Sequence, residues 1–273
     1  MSYEFKPFEE LEFSDDWMFG KVMRDPEICK EILELLLDVK IQKIEYPFLQ
    51  KELNPYYSSK GIRCDVYVKD SNKIFDIEIQ NYKQKSFGKR MRYYQSILDC
   101  DDLIRGADYD RLKDSYILFI CTTPPFEKSN LPRYTFKTFC EENKNIPLDD
   151  KSIKVVYNAS AFEDEKNENI KAFLKFIHNH TVENNLTDKI SNLVYKIKQN
   201  EANKTEYTTM NPRERDIFLE GEKQGEISGA EKNKIENAEN FLKEGDSPEK
   251  VARCIGIPLE TVLELQKSLS VNA

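Results

Sequence analysis

The chain has 273 residues, 39% hydrophobic and 11% aromatic, with 41 Lys and Arg against 49 Asp and Glu, a formal charge of -8. That length and apolar content argue against a disordered chain and for one core of roughly 150 to 200 residues plus an appendage. No apolar run reaches the roughly 20 residues that a membrane helix needs, and the opening MSYEFKPFEE lacks the basic-then-apolar form of a signal peptide, so a cytoplasmic location without membrane association is expected.

In chain order, Pro26 to Val39 is rich in helix formers, and Ile41 to Phe48 suits a first strand. The next stretch, GIRCDVYVKDSNKIFDIEIQ (Gly61 to Gln80), reads as a β-hairpin turning at Lys69-Asp70-Ser71-Asn72. Phe75, Ile77 and Ile79 alternate with Asp76, Glu78 and Gln80, which puts the polar three on one face, as on a half-exposed strand. On the other arm Asp65 and Tyr67 face away from Val66 and Val68, so Asp65 and Glu78 are expected side by side. Two carboxylates and a backbone carbonyl make a hard-oxygen set of the kind Mg²⁺ prefers, with water and phosphate completing the shell.

A helix follows over Phe87 to Ile104, and the segment from Asn81 to Leu98 has no acidic residue while gathering Lys83, Lys85, Lys89, Arg90 and Arg92. A local basic face of this kind offers phosphate contacts on an otherwise acidic chain. Ser115 to Cys121 is a buried strand, ended by Thr122-Thr123-Pro124-Pro125. After an irregular stretch bearing Tyr134, Phe136 and Phe139, Ile153 to Ala159 reads as the last strand, with helices over Asn169 to His178 and Thr187 to Lys198.

These elements make an α/β domain over residues 1–199, a polar irregular linker over 200–212, and a charged helical tail over 213–273. Gly221, Gly225 and Gly229 recur among Glu, Lys and Gln in that tail, a marginal helix suited to ordering on a partner. Ser247-Pro248 is a helix start, Gly256 a stop, and a second helix from Leu259 completes a hairpin similar to a helix-turn-helix. Its second helix offers Lys267 beside Glu260 and Glu264, which suits self-association at least as well as DNA reading. Six cysteines without a C-x-x-C, and His178 and His180 two apart beside a helical run, disfavour zinc and iron-sulfur sites. Phosphate-loop, dinucleotide and nucleophile-elbow motifs do not occur.

The order of elements resembles the PD-(D/E)XK nuclease superfamily, and within it the recombination-promoting nucleases, also called PD-(D/E)XK nuclease family transposases. The carrying segments are SDDWMFGKVM with Asp16 and Phe19, RCDVYVKD, IFDIEIQ, KRMRYYQSIL with Arg90 and Tyr94, and LIRGADYDRLKDSYILFIC, across about residues 10 to 125. The resemblance implies a restriction-endonuclease-like core, a mixed sheet flanked by helices, with Mg²⁺ (Mn²⁺ as substitute) held by Asp65, Glu78, the Ile79 carbonyl and Asp16 as a further acid. Gln80 stands where the superfamily motif has lysine; its amide retains a donor and an acceptor to orient water, and Lys83 or Lys85 is a substitute for the missing charge. Arg90 and Tyr94, one turn apart, would contact phosphate together with those lysines. The expected function is a metal-dependent DNA endonuclease serving recombination, transposition-like processing or phage defence, dimeric through its tail. The alternatives are a non-catalytic nucleic-acid-binding or regulatory protein on the same scaffold, and a homo-oligomeric interaction protein.

Overall fold

The computed structural model of the protein describes residues 6–42, 44, 48–53, 62–83, 86–209, 237–238, 240–242, 246–256, 258–259, 261–263 and 265–266. Helices α1 (Asp16–Met23) and α2 (Pro26–Leu37) precede strands β1 (Phe48–Leu53), β2 (Ile62–Lys69) and β3 (Lys73–Gln80). Then come α3 (Phe87–Asp102), β4 (Asp114–Cys121), β5 (Arg133–Phe136), β6 (Ser152–Asn158), α4 (Glu168–Asn179) and α5 (Asn185–Lys198). The strands form one six-stranded sheet in the order β1-β2-β3-β4-β6-β5. β3 pairs antiparallel with β2 but parallel with β4, and β4 is parallel to β6, so the sheet is mixed.

Helices cover both faces. α3 packs on one face with Met91, Tyr94, Ile97 and Leu98 against Ile117, Phe119, Cys121 and Val156. Tyr157, the strand neighbour of Val156, points to the opposite face and donates its hydroxyl to the Leu36 carbonyl of α2 at 2.7 Å. Phe13 joins α1 to α4 on that side, with ring centroids 5.3 Å from Phe19 and 6.2 Å from Phe173. Asp25 starts α2 by accepting from the Glu27 and Ile28 amides with Pro26 at the first position, and Asn184 starts α5 through a reciprocal bond with Thr187.

Several expectations change. The first strand is Phe48–Leu53 rather than Ile41 to Phe48: Ile41 is buried beyond α2, with its amide donated to Glu34 Oε1 at 2.8 Å. β5 lies within the stretch read as irregular, as a four-residue edge strand antiparallel to β6. Residues 201–209, read as irregular, are helical, and 210–212 lie outside the described residues. The chain divides into two compact units, Met1–Thr205 and Glu206–Ala273. In the second, the helix Pro248–Ile255 starts on Ser247 and stops at Gly256 (φ 71°), a left-handed position that glycine adopts without cost, and helical residues resume at 259. Gly221, Gly225 and Gly229 lie outside the described residues. Among the described residues no helix is long and apolar enough to cross a membrane.

Candidate active site

β3 is the centre of the site and is buried along almost its whole length, because β2 and β4 flank it and helices cover both faces. The expected half-exposed face is therefore wrong: Glu78 is 1% and Gln80 5% exposed, and Asp76 is wholly buried. Ladder pairing between β2 and β3 runs from Lys69↔Ile74 to Val66↔Ile77, and beyond that point side chains take over. The Asp65 amide donates to Glu78 Oε1 at 3.0 Å, and the Ile79 amide donates to Asp65 Oδ2 at 3.1 Å. Each carboxylate thus binds a backbone N–H of the opposite strand, in place of the ladder bonds. Cys64 and Tyr67 both enter the α3-side core, so the strict alternation expected for β2 does not carry through Asp65 and Val66, although the register with β1 is the same on both sides.

The two faces of the sheet meet at this opening. From the α3 face, Arg90 spreads its fork: Nη1 donates to Gln80 Oε1 at 2.7 Å, and Nη2 donates to Glu78 Oε2 at 2.8 Å and to the Tyr94 hydroxyl at 3.0 Å. The guanidinium carbon lies 5.0 Å from the Tyr94 ring centroid and 5.3 Å from that of Phe119, which fixes its plane. From the other face, Asn81 Nδ2 donates to Asp16 Oδ1 at 3.1 Å and to the Ser14 carbonyl at 2.9 Å, tying α1 to the end of β3.

Electrostatically the cluster has an excess of acid. Burial raises the Asp65 carboxyl above its ordinary value, and the charge of Asp16 adds to that push against the backbone bond from Ile79 and the pull of Arg90. Glu78 is raised well above the usual range by burial and by Asp76 and Asp65. Asp16 is solvent-exposed, yet enough protein surrounds its carboxylate for desolvation to be the main upward influence, with Asp15 second. Arg90 loses some preference for charge by burial but regains more from Tyr94, Glu78 and Asp65. No donor meets either oxygen of Asp76 in good hydrogen-bond geometry; burial pushes its carboxyl up, with the nearby Cys64 thiol, Arg90 and Glu78 pulling the other way and Asp65 adding to the push.

A divalent cation suits this donor set: hard carboxylate oxygens crowd together and repel, and Asp65 is only partly buried. Among the described residues no three His, Cys, Asp or Glu side chains are arranged to hold a metal. Lys83 does not reach the carboxylates; it donates to Glu127 Oε1 at 2.8 Å on the surface. Lys85 lies outside the described residues. Asp76, Asn81 and the placement of Arg90 against Gln80 escaped the sequence reading. Only Asp76 left a signal there, as the same-face neighbour of Glu78.

A mixed sheet flanked by helices, with an acidic pair where two antiparallel strands part and a Glu-x-Gln on the central strand, defines a nuclease-type fold of the PD-(D/E)XK class. Residues 12–238 match the family model for the PD-(D/E)XK nuclease family transposase, and the chain belongs to that family. The family is one of nucleases that typically use divalent metals. No curated protein and no solved structure matches the chain.

Proposed function

We propose that the protein is a DNA endonuclease that hydrolyses phosphodiester bonds with Mg²⁺ or, in its place, Mn²⁺. The observation carrying this reading is the Asp65–Glu78 pair facing one another where β2 and β3 separate, with Arg90 forked onto Glu78 and Gln80. Asp65, Glu78 and the Ile79 carbonyl would hold the metal, and Asp16, whose charge is felt at Asp65, would add an acid through water. The bound ion supplies a more acidic water and a counter-charge for the phosphate.

The protein's own residues do the remainder. Because Arg90 occupies the Gln80 carbonyl oxygen, the Gln80 amide is left as a donor that orients the attacking water. Arg90 takes over in space the cationic role left open by Gln80, and its bond to Tyr94 aims the guanidinium toward phosphate. Recombination, transposition-like processing and phage defence are the processes that family membership favours. Assembly through the tail would pair two sites for cutting two strands.

Nicking of supercoiled plasmid with Mg²⁺ or Mn²⁺, beside EDTA and the Asp65→Ala and Glu78→Ala variants, tests this directly. Metal-dependent cutting lost in both variants is the expected result. A folded wild type that leaves plasmid, single-stranded DNA and RNA intact would favour a non-catalytic binding protein, for which the ion pair locking Glu78 to Arg90 is the motivating observation.

A further inference from the structure

We propose that Asn81 is a positioning residue for the metal: its side-chain amide holds the Asp16 carboxylate at the end of β3, from which Asp16 acts on the ion through water. The inference rests on the nuclease reading and adds to it a residue outside the acidic pair, together with the reason that α1 takes part in the site.

The chain places the two halves of this contact far apart. Asn81 follows the last residue of β3, and Asp16 opens α1, 65 positions earlier. Asn81 Nδ2 donates to the Ser14 carbonyl at 2.9 Å and to Asp16 Oδ1 at 3.1 Å. A carbonyl oxygen only accepts, so the bond to Ser14 fixes which end of the amide faces α1, and the same NH₂ then faces Asp16. The main-chain bond sets the start of α1 against the end of β3. The side-chain bond selects one place for a carboxylate that is exposed to solvent.

That place is one a carboxylate would leave if nothing held it. Among the charges around Asp65, that of Asp16 weighs most, and it repels. Asp15 repels Asp16 in turn, while its own Oδ2 is occupied by the Glu12 amide at 2.6 Å and by Lys6 Nζ at 2.5 Å. Arg63 offsets the charge of both Asp16 and Asp65, and Asn81 supplies the directional bond that decides where Asp16 stands. A neutral donor suits this task. A lysine or arginine would cancel the negative charge that a divalent cation needs, whereas an amide orients the carboxylate and leaves its charge in place.

Two neighbours in sequence divide the work. Gln80 is buried and takes Arg90 from α3, whereas Asn81 is exposed and takes Asp16 from α1, so the end of β3 joins both helical layers beside the acidic pair. A link that served the fold alone would need only the Ser14 carbonyl. It would gain little from an exposed carboxylate that its acidic neighbours repel.

The test is Mn²⁺ binding to the full chain, read by isothermal titration for wild type, Asn81→Ala, Asp16→Ala and the double variant, with Asp65→Ala as the reference for loss of the site. Asn81→Ala should weaken Mn²⁺ binding about tenfold, the lower end for loss of a group that orients a metal ligand. Asp16→Ala should weaken it at least as much. The double variant should match Asp16→Ala to within about twofold, since Asn81 then has nothing to position. The metal-free melting temperature of Asn81→Ala should stay at the wild-type value. Full Mn²⁺ affinity in Asn81→Ala, a loss there that Asp16→Ala does not share, or losses that multiply in the double variant overturn the positioning role and leave the nuclease reading standing. A folded wild type that binds no Mn²⁺, or binds it no better than Asp65→Ala, overturns both.

Discussion

At the carboxyl end of α3, Asp101 accepts from Lys51 Nζ at 2.8 Å and from the Tyr67 hydroxyl at 3.1 Å, and Lys69 stands 3.5 Å away. Asp102 is flanked by the same Lys69 at 3.6 Å and by Lys113 at 3.8 Å. Lys51 also covers the Tyr67 ring at 4.0 Å. Three lysines thus meet two acids, offsetting the unfavourable placement of carboxylates at a helix C-terminus. Seven and eleven residues before Asp101, at Tyr94 and Arg90, the balance reverses: Asp65, Asp76 and Glu78 crowd around one forked cation with Asp16 nearby. One end of the helix is neutralised and fastens strands; the other holds charge that its own residues do not balance. Polar clusters of similar size on one helix therefore serve different ends, and the mismatch marks the one with work left for a ligand.

The largest effect expected from this contrast is at Glu78. Glu78→Gln should cut nuclease activity at least about a hundredfold, since a neutral amide is a poor metal ligand. It should not lower the melting temperature of the metal-free protein, because it removes repulsion while keeping shape. Mg²⁺ should raise the melting temperature of wild type but not of this variant. A melting temperature several degrees lower in Glu78→Gln would place Glu78 in the structural class with Asp101.

Arg90→Met comes next. It strips two donors from the Glu78–Gln80 pair and should cost about 2 kcal/mol in urea denaturation, less than a fully buried pair because Arg90 is partly exposed. An unchanged denaturation midpoint would mean that Arg90 contributes nothing to the fold.

Asp101→Asn should cost less than about 1 kcal/mol and leave cleavage unchanged. Burial alone would raise the Asp101 carboxyl, but Lys51, Tyr67 and Lys69 bring it below its ordinary value. Its contribution is present above the unfolded carboxylate value of about 3.9 and is lost as pH falls through the lower folded value. The stability gap between wild type and variant should close in acid, and a gap that persists there would reject the ion-pair account. Smallest is Lys83→Ala: the melting temperature should not move, and a clear drop would show that its pair with Glu127 fastens the loop after β3.

The hairpin was legible because a strand has a period of two: Glu78 and Gln80 had to share a face, and an antiparallel partner had to bring Asp65 opposite Glu78. The helix boundaries around Ser247 and Gly256 were legible from capping chemistry alone. Burial of β3 was not, since IFDIEIQ reads as half-exposed in isolation and only the docking of β4 and α3 covers its polar face. The same dependence hid Arg90, whose helical spacing to Tyr94 was visible while its reach to Gln80 is set by packing across the sheet. β1 was misplaced because the apolar residues around Ile41 serve burial beyond α2, a role that local pattern does not separate from a strand.

The parallel pairing of β3 with β4 also governs when the site comes into being during synthesis. A nascent chain that has emerged only through Gln80 holds both carboxylates yet lacks Arg90, and one that ends before Asp114 lacks the strand that keeps Glu78 from water. Non-local strand pairings form late because the intervening loop must close first. The cluster is therefore enclosed only once β4 has docked beside β3, and a shorter chain carries the acidic motif without its surroundings.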